Sequence, residues 1–223
     1  MTLSNSQIMT YINRPQSKYL SDPFEPLRQA SFQREKAVLS KAVFVDRDGT
    51  LNVEDGYITD PSIILLYSDT SAVLKKFSLQ GYLVIIISNQ SAIGRELMTE
   101  DQFESVNQAL WDQLRQSNSG YDALYFCPHT PDDECECRKP KPGLILQAAV
   151  DFDIDLSTSY MIGDKLSDIE AGQRAGCNTV LVLTGKGAEV KEMIERDRLL
   201  TQPDTIQASL SDALAWIIEH EAA

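Results

Sequence analysis

With 223 residues, 43% of them hydrophobic and 24% charged, the chain has ordinary globular composition, enough for one well-buried α/β domain, alone or with an appendage. A net charge of −13 repels phosphate backbones and anionic membranes, so neither nucleic acid nor a membrane is expected as partner, while one basic pocket can still take a phosphorylated small molecule. No apolar run approaches the roughly 18 residues that span a bilayer, and Met1 to Thr10 lacks a charged-then-apolar leader, so a cytoplasmic location is expected.

Residues 1–38 carry Pro15, Pro23 and Pro26 and scattered aromatics without a sustained period. They read as an N-terminal extension, either an arm on a surface or partner subunit or a disordered tail. A monomer, or a small homo-oligomer joined through that arm, is expected, with residues 39–223 as the main domain. Ala42 to Val45 then reads as a buried strand that stops abruptly at Asp46 and Asp48, with Gly49 behind them. Alone, this Asp-x-Asp-Gly stretch fits a catalytic pair, a calcium loop or a plain turn. Glu54-Asp-Gly-Tyr57 reads as a flap over that strand end, with Tyr57 a substrate contact or a loop anchor.

Ser71 to Leu79 has helical spacing, stopped by Gly81, and Leu83 to Ile87 is a second buried strand ending in Ser88-Asn89-Gln90-Ser91. Thr99 and Gln102 fit a capping box that opens a helix to about Gln116, with Phe103, Val106, Leu110 and Leu114 on one stripe. A third strand, Ala123 to Phe126, runs into Cys127-Pro-His129-Thr-Pro-Asp-Asp-Glu-Cys135-Glu-Cys137-Arg138-Lys139. Further elements follow: a helix over Leu144 to Val150, a strand over Tyr160 to Ile162 that ends at Asp164, and a helix running on to Gly176. Thr179 to Leu183 is a strand, about Glu189 to Leu199 a helix, then come a short edge strand from Asp204 and a last helix over Ser211 to Glu219. Alternating strands and helices predict an α/β three-layer arrangement, a parallel sheet with helices on both faces and ligands beyond the carboxyl ends of the strands. Four polar clusters, Asp46/Asp48, Ser88/Asn89, Arg138/Lys139 and Asp164/Asp168, fall at that end.

Both histidines are unsuited to a nucleophile pair, since His129 sits among cysteines and His220 lies near the end, so acid and base work falls on carboxylates. Asp46, Asp48 and Asp164 suit a hard divalent cation such as magnesium, with a phosphate completing its shell. Cys127-x-His129-x5-Cys135-x-Cys137 has the ligand types and number of a closed structural zinc site, and a disulfide is the weaker reading. Asn52, Gln90 and Ser91 read as turn formers, Lys141 and Lys165 as phosphate contacts or solvated surface, and Asp132, Asp133, Glu134 and Glu136 as a solvated acidic rim.

Asp46-Arg-Asp48-Gly-Thr50, Ser88-Asn-Gln, Lys139 and Gly163-Asp164-Lys165-Leu-Ser-Asp168 resemble the four motifs of the haloacid-dehalogenase superfamily, from about residue 41 to the end. The Cys-Pro-His cluster and Arg138-Lys139-Pro narrow the resemblance to the capless, zinc-containing branch that holds heptose-bisphosphate and histidinol-phosphate phosphatases. It implies a Rossmann-like sandwich with a mainly parallel sheet of five to six strands, no large cap domain and a zinc-binding loop. It also implies a magnesium-dependent phosphatase acting on a small phosphorylated sugar. In that case Asp46 is the nucleophile, Asp48 the acid–base with its carbonyl on the metal, and Asp46 and Asp164 the carboxylate ligands of the metal. Asp168 holds the metal's waters or Lys139. Ser88 and Lys139 bind the transferring phosphoryl group, while Asn89, Arg138, Lys165 and Tyr57 line the substrate side. The flap and Gly94-Arg95 resemble the heptose enzymes, whereas the short spacing from His129 to Cys135 is closer to the histidinol-phosphate enzymes. A noncatalytic phosphosugar-binding scaffold is the alternative of another class, and nucleic-acid end repair a third.

Overall fold

The computed structural model describes residues 9–12, 39–54, 56–197 and 201–221. In chain order the strands are β1 (Met9–Ile12), β2 (Lys41–Val45), β3 (Tyr82–Asn89), β4 (Ala123–Cys127), β5 (Tyr160–Gly163), β6 (Asn178–Val182) and β7 (Thr205–Gln207). The helices are α1 (Thr70–Leu79), α2 (Ser91–Gly94), α3 (Glu100–Gln116), α4 (Gly143–Asp151), α5 (Leu166–Ala175), α6 (Gly187–Arg196) and α7 (Leu210–Glu221).

The strands lie side by side in the order β1-β4-β3-β2-β5-β6-β7. Six of them are parallel, and β1 alone runs antiparallel, against β4. Chain order reverses direction between β2 and β5, and in open α/β sheets such a switch point leaves a crevice beyond the strand ends. That topology puts the ends of β2 and β5, and hence Asp46 and Asp164, next to each other.

Burial follows the two-residue period of a pleated sheet covered on both faces. Val43, Val45, Val84, Ile86, Leu124 and Phe126 point into one core with Phe77 of α1, Phe103 and Leu110 of α3, and Leu214 and Ile217 of α7. Phe44, Ile85, Ile87, Tyr125 and Met161 point into the other, against Leu144 and Ile145 of α4 and Ala171 of α5. The α3 boundary is the expected one: the Thr99 hydroxyl accepts from Gln102 N and the Gln102 carboxamide oxygen accepts from Thr99 N, satisfying two N–H groups of the first turn. Among the described residues between β2 and β3 are a turn, a flap, a 3-10 turn at Pro61–Ile63 and α1, and no lid domain. Gln113 of α3 pins that connection by donating to Ile64 O (3.0 Å).

Several bounds differ from the periodicity reading. Ser88 and Asn89 belong to β3, because their backbone pairs with Phe126 and Cys127 of β4 and so extends the ladder past the last apolar residue. The expected helix over 189–199 begins at Gly187 and ends at Arg196, and residues 198–200 lie outside the described residues. The short helix α2 was not foreseen, and neither was β1 within the expected extension; residues 1–8 and 13–38 of that extension lie outside the described residues.

Candidate active site

The turn after β2 is built on one carbonyl. Arg47 O accepts from Leu51 N (2.9 Å) and Asn52 N (3.2 Å), and Gly49 N donates to Asn52 O (2.8 Å). Gly49 has φ +97°, and a Cβ there would stand 2.2 Å from Asp164 Oδ2; Gly185, with φ +50°, is in the same position on the opposite side. Both must be glycine for the β2 and β6 loops to close around the Asp164 carboxylate. Lys186 N donates to Asp164 Oδ2 (2.8 Å) from the second of these loops.

Lys139 crosses from the cysteine-rich loop after β4 into the centre. Its Nζ lies 2.6 Å from Asp46 Oδ1, 2.7 Å from Asp168 Oδ1 and 2.7 Å from Ile87 O, with the side chain almost wholly buried. Burial works to lower the Lys139 pKa, but the Asp168 and Asp46 charges and their hydrogen bonds outweigh it and hold the pKa above the usual lysine value. Lys139 is thus a fixed cation beside Asp46. Its backbone is held as well: Asn89 Nδ2 donates to Lys139 O and Lys139 N donates to Asn89 Oδ1, each 3.1 Å. Asn89 is therefore spent on positioning Lys139, although it also lines the cavity.

Asp48 is gripped from three sides. Arg47 donates from Nε to Oδ1 (3.0 Å) and from Nη2 to Oδ2 (2.9 Å), Asn52 Nδ2 donates to Oδ1 (3.1 Å), and Gln90 Nε2 donates to Oδ2 (2.8 Å). The same Gln90 amide nitrogen reaches Ser88 Oγ at 2.8 Å. Burial pushes the Asp48 pKa up, yet the Arg47 charge and the hydrogen bonds of Arg47, Asn52 and Gln90 together bring it below its ordinary value. Asn52 and Gln90, read as turn formers, are in fact ligands of this carboxylate. Arg47, which the sequence marks only as part of the Asp-Arg-Asp motif, is buried here. It is 1% exposed, donates from Nη1 to Asn107 Oδ1 (2.9 Å) and lies over the Phe103 ring. Removing one partner of a buried ion pair strands the other. Arg47→Met is therefore expected to lower the unfolding free energy by about 3–5 kcal/mol, measured by urea denaturation; an unshifted midpoint would show that the cation is dispensable.

Asp46, Asp164 and Asp168 present carboxylate oxygens within 4.8 Å of one another. Burial first, and then the Asp46 and Asp168 charges, push the Asp164 pKa up to about 7, against the pull of Lys165. Such crowding of anions is what a divalent cation relieves, and Asp46 Oδ2 is a buried oxygen without a hydrogen-bond partner. The residues fit a hard cation. Lys165 lies against this group, with Nζ donating to Asp48 O (3.0 Å) and 3.2 Å from Glu54 Oε1. Burial works to lower its pKa, and the charges of Asp46, Asp164, Asp168 and Glu54 hold it well above the usual lysine range.

Three sulfurs and one ring nitrogen make the second cluster. Cys127 Sγ is 3.3 Å from Cys137 Sγ and 3.6 Å from Cys135 Sγ, Cys135 and Cys137 are 3.4 Å apart, and His129 Nδ1 is 3.3 Å from Cys137 Sγ. A disulfide needs about 2.05 Å, so all are free thiols. Ligands at about 2.3 Å from a tetrahedral centre stand about 3.8 Å apart, close to the spacing found. The Cys127 hydrogen bond, aided by Cys135 and His129, lowers the Cys137 pKa against burial, toward the thiolate form in which cysteine ligates metals. Arg138, next in the chain, is tied back by donating to His129 O (3.2 Å).

A cavity of about 440 Å³ opens over the carboxylates, lined by Asp46, Asp48, Ser88, Arg138, Lys139, Lys165 and Asp168 among others, with Glu54 and the half-exposed Tyr57 of the flap also on its wall. Lys141 is turned to Glu136 and Glu134 O, away from it. A fixed cation, a clamped carboxylate and a crowded anion site around one opening can position a phosphate ester, take its charge and deliver an oxygen nucleophile.

The HAD-hydrolase-like family model matches residues 136–213. A curated relative from Pasteurella multocida (strain Pm70), D-glycero-beta-D-manno-heptose-1,7-bisphosphate 7-phosphatase, is 40% identical over 155 residues, 66% of this chain and 84% of that protein. A relative of the same name from Helicobacter pylori (strain J99 / ATCC 700824) is 41% identical over 146 residues, 65% of this chain and 84% of that protein. Among solved structures, a D,D-heptose 1,7-bisphosphate phosphatase from B. bronchiseptica, complexed with magnesium and phosphate, superposes with TM-score 0.74 at 27% identity, covering 81% of this chain and 99% of that one.

Proposed function

The chain belongs to the haloacid-dehalogenase-like hydrolases, and from that membership we propose that it is a magnesium-dependent phosphatase acting on the 7-phosphate of heptose 1,7-bisphosphate. The observation that carries the reading is the meeting of Asp46, Asp48, Lys139 and Asp168 around one cavity at the switch point of the sheet, with the buried Asp164 carboxylate against Asp46 and Asp168. The names of the relatives supply the sugar. Residues 39–223 form the phosphatase unit in this reading, and free thiols in the metal-type cluster suit the reducing cytoplasm.

A carboxylate oxygen of Asp46 attacks phosphorus, forming an aspartyl-phosphate as the bond from phosphorus to the sugar oxygen breaks. Asp48 gives its proton to that leaving oxygen, then takes one from water as the water oxygen bonds to phosphorus and frees Asp46. Because the Arg47, Asn52 and Gln90 grip favours the charged form of Asp48, substrate entry must loosen that grip before Asp48 can carry a proton. Ser88 and Lys139 hold the transferring group, and Lys139 also keeps Asp46 aimed. Arg138 and Tyr57 face the rest of the substrate. A magnesium ion held by Asp46, Asp164 and the Asp48 carbonyl would neutralise the phosphoryl oxygens. A zinc ion on Cys127, His129, Cys135 and Cys137 would leave no open position and would stiffen the loop that aims Arg138 and Lys139.

The short spacing from His129 to Cys135 favours histidinol phosphate as the second reading. We expect kcat/KM for the heptose bisphosphate to exceed that for histidinol phosphate by at least about 100-fold, a lower bound on the roughly 10⁴–10⁵ by which a site built to hydrogen-bond polar groups rejects a ligand lacking them. The reverse order would transfer the assignment to the second reading. Binding of the sugar without phosphate release would leave only a phosphosugar scaffold.

A further inference from the structure

Lys165 faces three oxygens at once. Its Nζ lies 3.0 Å from the Asp48 carbonyl oxygen, 3.7 Å from Asp164 Oδ1 and 3.8 Å from Asp46 Oδ2. These belong to the three groups assigned above to the divalent cation, and the inference rests on that assignment. An ammonium ion and a divalent cation compete for one such set, because like charges a few ångströms apart in a partly buried site repel strongly.

We propose that Lys165 is a tethered counter-cation: its ammonium group stands in for the metal among Asp46, Asp164 and the Asp48 carbonyl, and moves into the cavity when the metal binds. Two features make it the movable cation of the site. Lys139 is almost fully buried and clasped by Asp46, Asp168 and Ile87 O, whereas the Lys165 side chain is 34% exposed and lines the cavity. Its contacts to the two carboxylates are also loose, and Asp46 Oδ2 keeps no hydrogen-bond partner, so that oxygen stays available to an ion of shorter reach. Without Lys165, three buried carboxylates would share Lys139 alone. Its 3.2 Å contact to Glu54 Oε1 further links the ammonium to the flap, so displacement frees Glu54 at the cavity rim. In the metal-bound protein the same charge faces the cavity, where it meets the substrate phosphate.

The test is a calorimetric Mg²⁺ titration of the full chain freed of loosely held divalent ions, as wild type and as Lys165→Met. The variant is expected to bind Mg²⁺ roughly 10-fold tighter or more. Its melting temperature should fall below that of the wild type without Mg²⁺, and the gap should shrink at saturating Mg²⁺. Equal or weaker binding by the variant overturns the inference and leaves the metal assignment standing. Absence of Mg²⁺ binding by the wild type overturns that assignment and the inference with it. A measurement on the wild type guards against a misfolded variant: acetylation of Lys165, scored by mass spectrometry against exposed Lys191, should rise several-fold on adding Mg²⁺. Unchanged or reduced labelling overturns the inference.

Discussion

Asp46→Asn is expected to reduce phosphate release by at least about 10⁴-fold, the scale of loss when an enzyme's nucleophile is removed, while leaving the fold in place. The amide keeps the shape of the carboxylate but cannot attack phosphorus as an anion. The fold should survive because Lys139 retains Asp168 at 2.7 Å and Ile87 O at 2.7 Å. The substitution also removes one of three carboxylates whose oxygens crowd within 4.8 Å, which offsets part of the lost pairing. Release of phosphate from an aryl phosphate at saturating Mg²⁺, together with a thermal melt, reads both halves. Substantial turnover by a well-folded variant would remove Asp46 from the role of nucleophile.

Cys137→Ser is the second large effect. Loss of one of the four ligands proposed for zinc should cost that ion its site and, with it, the constraint on the loop from Cys127 to Lys139. We expect a destabilisation of about 3 kcal/mol, a fall of roughly 6–12 °C in melting temperature for a chain of this size. Activity should fall with it, because Arg138 is tied to His129 O and the loop delivers Lys139 to Asp46. Elemental analysis should return about one zinc per wild-type chain. Chelator treatment followed by Mg²⁺ alone should leave activity depressed until zinc is restored. Full recovery on Mg²⁺ alone would show that the cluster does not support the catalytic loop.

The parts of the site that were legible in the sequence are those announced locally. Val45 ends an apolar run and Asp46 follows, so the strand end and its carboxylate are visible together. The Thr99–Gln102 box states its own boundary, and three cysteines with a histidine in a short loop can hardly mean anything but ligation or oxidation. Arg47 was not legible in the same way. Its burial is created by Phe103 and Asn107, more than fifty residues away on α3, and no local period carries such a contact. The grip of Gln90 on Asp48 depends likewise on β2 and β3 lying side by side, whereas Asn52 reaches Asp48 within the turn after β2. Lys165 follows Asp164 directly, so its neighbourhood was visible, but the direction of its side chain was not. It reads as a substrate contact in the sequence and rests against Asp48 O and Glu54 in the structure.

The antiparallel strand β1 has a mechanical consequence for the chemistry. Met9 stands opposite Phe126 and Ile12 opposite Ala123, so β4 is laced on both sides, to β1 and to β3. Without β1, β4 would be the outermost strand, and outermost strands fray first and offer their open hydrogen-bonding groups to other chains. Cys127 is the last residue of β4 and the first of the sulfur cluster. The loop that brings Arg138 and Lys139 to the cavity therefore springs from a strand clamped like an interior plank. A segment of four residues, far from the cavity in sequence, thereby lends rigidity to the lever on which the site's fixed cation is mounted.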